Sequence, residues 1–316
     1  MTAPSSPPAP SAPDRPRFGI VTPSYNQGAY LRETIESVLS QEGLGTEFDL
    51  DYAVIDGGST DGSAEIIREY EDRLTFWCSE KDRGQSHAIN KGFDHVTKDP
   101  AAIAAWLNSD DVYLPGALKK VAAYWREHAP DALIGHGRKV DADGTVDTET
   151  RFGDYSREGL MDWGQNSFMQ PACFMSRRVW DDVGGLDESL DQCLDVNLWL
   201  RIAERYRFET LREPLAEAKA HAAAKTSNAC TAAEGFAELS LMILRHGGED
   251  VVRRKLAEHN LRLRLLDMEL RTASALPVLG LIVRAARRIA RGRLARDPRF
   301  RRPGGAAAAG GGTDGG

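Results

Sequence analysis

Two adjacent carboxylates, Asp110 and Asp111, have the types and spacing that point most directly to chemistry. They follow the apolar run Ala104-Ala-Trp-Leu107 and the polar pair Asn108-Ser109. Neighbouring carboxylates at the end of a buried strand repel each other and lose hydration unless a cation or hydrogen-bond donors neutralise them. Mg²⁺ and Mn²⁺ prefer carboxylate oxygens and often share their coordination with substrate phosphates. The pair therefore predicts a site for a divalent metal and a phosphorylated ligand.

A second cluster, Ile55-Asp56-Gly57-Gly58-Ser59-Thr60-Asp61, suits part of a nucleoside. The glycines permit close approach of the backbone, and Asp56 can accept a hydrogen bond from a base N–H or a ribose hydroxyl. A turn in which Asp61 or Ser63 caps the next helix explains the same residues. We interpret Asp56 as functional and Asp61 as structural. This loop carries neither of the phosphate-binding patterns GxxxxGK[ST] and GxGxxG, which disfavours kinases and dehydrogenases.

Two more clusters mix groups that suit a nucleotide. In Thr22-Pro23-Ser24-Tyr25-Asn26 the aromatic ring can stack on a base, although the same residues also make an ordinary loop. In Ser79-Glu80-Lys81-Asp82-Arg83-Gly84, acids, cations and a glycine follow an apolar run, and Asn90 lies shortly after them. A solvated charged turn is the alternative interpretation of this last cluster.

The elements that must position these clusters alternate between apolar runs and amphipathic stretches, the pattern of a βαβ sheet. The predicted strands are 18–22, 51–55, 74–78 and 102–107, and the predicted helices are about 30–41, 63–70, 87–93 and 114–128. This order predicts an α/β fold with a doubly wound, mostly parallel sheet. Ligands bind at the carboxyl ends of the strands in such sheets, and all four polar clusters follow a predicted strand.

The alternation weakens after about residue 130. We expect a hairpin that turns at Asp141-Ala-Asp-Gly144, a helix from Asp195 to Arg205, and only helices after Ala232. A short heptad-like seam, interrupted at His259, leaves open whether the last helix packs on its own domain or forms a dimer contact. The apolar members of this seam are Val252, Leu256, Leu263, Leu266 and Leu270.

Composition narrows the class of protein. The chain has 316 residues, 41% hydrophobic and 28% charged, which is ordinary for a soluble globular protein. A net charge of -7 argues against a nucleic-acid binder, which needs cationic surface. The four cysteines are too scattered for a zinc or redox motif. We find no signal-peptide pattern and no apolar run of the ~18 residues that span a bilayer, so we expect a cytoplasmic protein.

The C-terminal segment has the opposite charge. Between Leu276 and Gly316 there are nine arginines against two aspartates, about +7, which leaves about -14 on the rest of the chain. At 100° per residue, Arg284, Arg287, Arg288 and Arg291 share one arc of a helix. Such a helix can lie on an anionic membrane surface, so segment 276–302 predicts peripheral membrane contact. A solvated helix and a basic disordered tail are the alternatives.

The motifs and their order resemble family 2 glycosyltransferases of the GT-A fold. The resemblance runs through VTPSYNQGAYLRETIESVLSQ, VIDGGSTDGS, SEKDRGQSHAINKGF and WLNSDD across residues 17–115, and more weakly through 170–203. It implies an inverting transferase that uses a nucleotide-sugar donor and Mn²⁺ or Mg²⁺. The acceptor would be a glycan or a lipid-linked glycan of the bacterial cell envelope or an exopolysaccharide.

The resemblance also implies roles on the donor side. Thr22, Pro23 and Tyr25 would surround the nucleobase, usually a uracil, and Asp56 would hydrogen-bond to it. The ribose and diphosphate would lie along Asp82, Arg83 and Gly84, with Asn90 also on the donor side. Asp111 would bind the metal, while Asp110 would orient ribose or sugar.

On the acceptor side, Asp195 matches the position of the general base. The chain departs from the family at Leu194, where a second acid is common, and at Asn197, where aspartate is frequent. His221 could reach the metal or diphosphate, although a surface histidine in an Ala-rich segment explains it as well. We considered two alternatives: an inactive nucleotide-sugar-binding module, which should lack Asp111 or Asp195, and a metal-dependent nucleotidyltransferase or phosphate hydrolase, which should carry an early nucleophilic aspartate or a basic glycine-rich loop.

The resulting domain organisation has one catalytic domain with appendages. The predicted segments are a disordered leader at 1–16, a GT-A domain at 17–230 with a donor half (17–115) and an acceptor half (116–230), a helical extension at 231–272, a basic amphipathic segment at 273–303 and a disordered tail at 304–316.

Overall fold

The computed structural model describes residues 15–141, 144–162, 169–220 and 229–275. The strands are β1 (Arg17–Ser24), β2 (Asp49–Asp56), β3 (Phe76–Ser79), β4 (Ile103–Trp106), β5 (Asp111–Tyr113), β6 (Ala132–Val140), β7 (Val146–Glu149), β8 (Cys173–Ser176) and β9 (Phe208–Lys219). The helices are α1 (Gly28–Leu39), α2 (Ser63–Arg68), α3 (Gln85–His95), α4 (Ala117–His128), α5 (Arg157–Met161), α6 (Arg177–Val183), α7 (Leu194–Ala203), α8 (Ala229–Arg245) and α9 (Glu249–Ala275). Short 3-10 turns cover Glu71–Arg73 and Gln170–Ala172.

One mixed sheet carries the strands that the structure describes. Its order is β3-β2-β1-β4-β8-β6-β9-β5, and β7 pairs with β6. β1, β2, β3 and β4 are parallel to one another, and β6 is parallel to β9. The predicted α/β fold with a mostly parallel sheet is therefore confirmed. Antiparallel β8 lies between β4 and β6, and antiparallel β5 closes the far edge beside β9.

The sequence of the central strand β1 is a continuous apolar run because both faces of the strand are buried. Seven of its eight residues are buried, because neighbouring strands and the helices on both faces exclude water from it. The helix α1 lays one face on the same core through Leu31, Ile35 and Val38, which are fully buried. Phe18 and Ile20 belong to this core cluster, as do Leu118 and Val121 of α4. Burial at this spacing holds the strand ends, and the loops that follow them, in fixed positions.

The C-terminal helices agree with the prediction of helix after Ala232. The chain divides into two compact units, residues 1–251 and 252–316, so that α8 belongs to the first and most of α9 to the second. Of the predicted seam, Leu256 is 43% exposed. Among the residues described, none forms a helix long and apolar enough to cross a membrane. The basic segment 276–302 lies outside the described residues, and the boundaries of the predicted domains stay a prediction.

Candidate functional site

The loops that follow β1, β2 and β3 converge on Gly57. A Cβ atom placed on Gly57 would lie 2.8 Å from Asp82 Oδ2 and 3.2 Å from Tyr25 Cδ2. A side chain at this position would therefore require Asp82 to move and would crowd Tyr25. Tyr25 is 64% exposed, although aromatic rings are usually buried. An exposed ring beside a bare backbone and a carboxylate forms a slot of the kind that receives a nucleobase and its ribose.

Asp56 lies behind this slot and is fully buried. Its Oδ2 accepts hydrogen bonds from the Ser59 amide at 2.9 Å and the Ser79 hydroxyl at 2.6 Å, and its Oδ1 accepts one from the Ser59 hydroxyl. The carboxylate thus ties the loop after β2 to the end of β3. Both oxygens of the Asp56 carboxylate already accept hydrogen bonds, and contact with the base stays a prediction.

Asp61 has the structural role that we assigned to it. Its Oδ2 accepts from the Gly28 amide at 2.8 Å, at the start of α1, and its Oδ1 accepts from the Ser63 hydroxyl at 2.6 Å, at the start of α2. The amides of a first helical turn have no partner within the helix. A single carboxylate therefore fixes the beginnings of two helices beside the slot.

Thr22 and Pro23 do not reach the slot through their side chains. Both are buried, and the Thr22 hydroxyl is 2.8 Å from the hydroxyl of Tyr52 on β2. The only polar side-chain atom of Thr22 is thus already hydrogen-bonded within the sheet, and contact between Thr22 and a nucleobase stays a prediction. Tyr25 alone of the three predicted residues presents its side chain to solvent.

Asn90, which is predicted on the donor side, makes its side-chain hydrogen bonds to the main chain of Leu186. Its amide nitrogen donates to Leu186 O at 3.0 Å, and its amide oxygen accepts from Leu186 N at 2.9 Å. Both halves of the amide are therefore used to attach α3 to the segment before α7. Arg83, which is predicted to lie along the diphosphate, pairs instead with Glu188 at 2.6 Å in the same segment. Asp82 accepts from the Gly84 amide at 2.8 Å and shapes the turn into α3.

The two adjacent carboxylates differ in exposure. Asp110 is half-buried in the turn after β4, whereas Asp111 is 5% exposed at the start of β5. Burial and the charge of Asp110 raise the pKa of Asp111 well above its usual range. The Asn108 amide donates to Asp111 Oδ2 at 3.2 Å. Asp111 is thus a carboxylate whose charge is poorly compensated by the protein alone.

This donor set fits a divalent cation. Hard cations bind carboxylate oxygen, and a positive charge here would remove both the repulsion within the pair and the cost of burying Asp111. In the part of the chain described, no group of three or more metal-ligating side chains occurs. Mg²⁺ and Mn²⁺ commonly take one or two carboxylates and complete their shell with phosphate oxygens and water. His221, the further metal ligand suggested by the sequence, lies outside the described residues.

Lys139 is a neighbour of the pair that sequence reasoning missed. Ala218 of β9 is paired with Lys139 of β6 on one side and with Asp111 of β5 on the other. Directly paired residues point to the same face of a sheet, so the ammonium group and the carboxylate share one face. The charge of Lys139 accordingly opposes the rise in the pKa of Asp111. Only the strand order, which the sequence pattern did not predict, brings the two together.

A row of amides links the donor side to the acceptor side and was also missed. Gln85 Nε2 donates to Asn108 Oδ1 at 2.8 Å, and Asn108 Nδ2 donates to Gln170 Oε1 at 3.2 Å. Gln170 Nε2 in turn donates to the carbonyl of Trp106 at 2.8 Å. The row fixes the orientation of Asn108, which contacts Asp111. In the sequence each amide side chain lies in a polar stretch with no distinguishing pattern, because its partners come from distant parts of the chain.

Asp195 lies in the first turn of α7, partly buried. Burial raises its pKa, and its Oδ1 accepts from the Val196 amide at 2.7 Å. Its charge in turn contributes, after burial, to the raised pKa of the Cys173 thiol on β8. A carboxylate with a raised pKa is a better proton acceptor once it is ionised, which is what a general base requires.

The fold is shared with solved glycosyltransferases. The mannosyltransferase PcManGT from Pyrobaculum calidifontis, solved with GDP-Man and Mn²⁺, has a TM-score of 0.59 at 20% identity, over 93% of this chain and 86% of that one. Staphylococcus aureus TarS 1–349, solved with UDP-GlcNAc, has a TM-score of 0.57 at 18% identity, over 77% of this chain and 72% of that one. The predicted GT-A fold is confirmed by these likenesses.

Sequence comparison gives the family. An uncharacterized glycosyltransferase of Nostoc sp. is 27% identical over 148 residues, which are 46% of this chain and 44% of that relative. The chain thus spans less than half the length of this relative. The model of glycosyl transferase family 2 matches residues 19–184, more than half of the chain and the part that carries the slot and the paired carboxylates. The chain therefore belongs to glycosyl transferase family 2.

Proposed function

We propose that the chain is an inverting, metal-dependent transferase that moves a sugar from a nucleoside-diphosphate donor, a UDP-sugar, to a hydroxyl group. The acceptor is a glycan or lipid-linked glycan in cell-envelope or exopolysaccharide synthesis. The observation that carries the proposal is the buried Asp111 beside Asp110, close to the slot of Tyr25, Gly57 and Asp82. TarS, a poly(ribitol-phosphate) β-N-acetylglucosaminyltransferase, and PcManGT, with GDP-Man and Mn²⁺, support a nucleotide-sugar donor and a divalent metal.

The residues divide the work between donor and acceptor. Tyr25 stacks on the base, while the bare backbone of Gly57 lets the ribose approach Asp82. Asp111 would hold the divalent cation, which would offset the negative charge on the departing diphosphate, and Asp110 would orient the ribose or the sugar. Lys139 adds a positive charge on the same face of the sheet. Donor binding therefore depends on residues from six strands or the loops that follow them.

On the acceptor side, Asp195 removes the proton from the attacking hydroxyl. The oxygen forms a bond to the anomeric carbon while the bond from that carbon to the diphosphate oxygen breaks, and the proton ends on the Asp195 carboxylate. Attack opposite to the leaving group inverts the configuration at the anomeric carbon. No covalent intermediate is needed in this single displacement.

Ligand-dependent melting tests the donor and metal together. We expect the melting temperature to rise with UDP plus Mn²⁺ more than with either alone, because a ligand at a hundredfold excess over its Kd stabilises the folded state by about 2.7 kcal/mol. Asp111→Asn should abolish the rise that Mn²⁺ adds. Asp94→Asn, an exposed aspartate on α3, is the matched control and should keep it.

Two results would decide against the proposal. If no nucleoside diphosphate, whether UDP, GDP or dTDP, shifts melting of the wild-type chain with Mn²⁺, the donor assignment is wrong. If binding is normal but no donor is hydrolysed or transferred in a panel of UDP-, dTDP- and GDP-sugars, the chain is a binding module. The same panel identifies the sugar.

We also propose that the enzyme acts at the inner face of the cell membrane, held there by the basic segment 276–302. Four arginines on one arc, Arg284, Arg287, Arg288 and Arg291, support this location. A surface-bound enzyme would meet a lipid-linked acceptor by diffusion in two dimensions.

A further inference from the structure

Helix α8 contacts the turn that precedes α7 at two points on one face. A Cβ atom on Gly235 would lie 3.6 Å from Gln192 Cβ, and Gly235 O is 3.7 Å from the Cys193 thiol. One turn further along α8, Glu238 reaches the same stretch of chain. Further along α8, Met242 and Ile243 are buried. The helix is therefore packed against the protein where it touches residues 191–193.

The carboxylate of Glu238 accepts hydrogen bonds from three consecutive main-chain amides. Oε1 accepts from Asp191 N at 2.6 Å, while Oε2 accepts from Gln192 N at 2.6 Å and from Cys193 N at 2.9 Å. Hydrogen bonds from amides to an ionised carboxylate are shorter and stronger than those to neutral acceptors. One side chain thus holds the whole turn.

This turn leads directly into the helix that carries Asp195. The residue at the N-cap position of α7 is Cys193, and its side chain makes no capping hydrogen bond. Asp195 is the acidic residue of this first turn, and its Oδ1 accepts from the adjacent Val196 amide. A negative charge at a helix N-terminus is favourable because the exposed amides there carry partial positive charge. Glu238 adds a second carboxylate from another helix and binds the amides of the three residues that lead into α7.

We propose that Glu238 is a positioning residue: it fixes the turn 191–193, and through it the first turn of α7, so that the Asp195 carboxylate faces the acceptor hydroxyl. The inference rests on the proposed role of Asp195 as the base. Residues 191–195 and Glu238 all lie beyond the residues 19–184 that the family model matches. The acceptor side of this enzyme is thereby assembled from two helices that are distant in sequence.

Kinetics of Glu238 variants test the positioning role. Glu238→Ala should lower kcat for transfer by about 10- to 100-fold, as a displaced catalytic group does, and leave the donor KM unchanged because the donor slot lies on other elements. Glu238→Gln, which keeps one acceptor oxygen, should fall between Ala and wild type. Glu234→Gln, an exposed position one turn earlier on α8, removes the same charge and should retain full kcat.

The outcomes separate this inference from the proposed function. A variant Glu238→Ala that binds UDP with Mn²⁺ normally and keeps wild-type kcat overturns the positioning role alone. A parallel loss of kcat and of donor affinity overturns it as well, because that result indicates general damage. If Asp195→Asn keeps full transfer, the base assignment and the positioning role both fail. Loss of kcat at constant donor KM, partly restored by Gln, supports the inference.

Discussion

At the scale of single residues, one side-chain type serves three purposes in this site because its surroundings differ. Asp56 is buried and saturated by hydroxyl and amide donors, so it joins loops. Asp111 is buried beside another carboxylate, so it calls for a cation. Asp195 is partly buried with one amide donor, and burial raises its pKa. The three carboxylates thus differ in their hydrogen-bond donors and in the charges beside them, which is why the same side-chain type suits different roles.

Replacing Asp195 by asparagine should lower the rate of transfer and raise the free energy of unfolding at neutral pH. Transfer should fall by about 10²- to 10⁴-fold, the usual contribution of a general base. The pKa of Asp195 is raised in the folded state, so the folded protein binds this proton more readily than the unfolded chain does. Stability therefore falls as pH rises from the unfolded pKa through the folded one, and Asp195→Asn should remove that loss and be more stable at neutral pH.

Urea unfolding of the two proteins from about pH 4, near the ordinary aspartate pKa of about 3.9, up to about pH 8 measures this difference. Asp94→Asn on α3 serves as the exposed control and should follow the wild type. An Asp195→Asn variant with wild-type activity, or with lower stability at neutral pH, would contradict the prediction.

At the scale of elements, α3 is the link between the two halves of the site. Its first residues follow the donor loop at Asp82–Gly84, and its Asn90 holds Leu186 on the acceptor side through two main-chain hydrogen bonds. The helix also lies very close to β1, because a Cβ on Gly92 would be 2.3 Å from Val21 Cγ1. A movement of α3 would therefore disturb both substrates.

Asn90→Ala separates a structural role from a role in binding the donor. We expect it to destabilise the protein by about 1–3 kcal/mol, since the main-chain groups of Leu186 lose their partner, and to leave the affinity for UDP with Mn²⁺ unchanged. Urea unfolding and calorimetric titration measure the two quantities. Asp94→Ala, exposed on the same helix, is the control. A large loss of UDP affinity with unchanged stability would restore the donor-binding role predicted from the sequence.

The sequence predicts the elements whose pattern is local. β1, β2 and β4 are apolar runs, and α1 and α4 have regular apolar faces, so each was expected close to its observed bounds. β5 has three residues and β9 alternates charges around Pro214, so neither shows a strand pattern. The pairing of β6 with β9 shifts register at His136, next to Pro214, as a bulge allows. The contacts that depend on these strands, such as that of Lys139 with Asp111, could not be predicted.

The same distinction holds for the site. Tyr25, Asp56, Asp111 and Asp195 were identifiable because they follow predicted elements and match a family pattern. The burial of Thr22 and the main-chain contacts of Asn90 were not, because both depend on residues far away in sequence. Glu238 gave no signal at all, since a glutamate on a helix is ordinary until its partners are known.

At the scale of the whole molecule, charge is divided along the chain. Segment 276–316 carries about +7 and the remainder about -14. An acidic body is repelled by an anionic bilayer, whereas each basic residue near the surface is attracted by about 1 kcal/mol. In the proposed membrane attachment, the arginines of segment 276–302 would supply the attraction that overcomes this repulsion.

Sedimentation with vesicles tests this attachment. The full chain should bind vesicles that contain phosphatidylglycerol and not those of phosphatidylcholine alone, and high salt should release it. Replacing Arg284, Arg287, Arg288 and Arg291 by glutamine should weaken binding by roughly 10²-fold or more, if each contributes about 1 kcal/mol. The matched control replaces four arginines of α9 by glutamine, namely Arg253, Arg254, Arg262 and Arg264. Equal binding to both kinds of vesicle would contradict an electrostatic attachment.

The pairing of β5 with β9 has a consequence for how the protein is made. Asp111 is paired with Ala218, about a hundred residues later in the chain, and the Lys219 amide is a donor to its carboxylate. During synthesis the parallel strands β1 to β4 can associate early, whereas this pairing must wait for β9 to leave the ribosome. In a nascent chain the loops that carry Tyr25, Gly57 and Asp82 are therefore available before the β9 residues that pair with Asp111. Under the proposed function, competence to bind a nucleotide together with a metal is acquired late, when nearly the whole sheet has been translated.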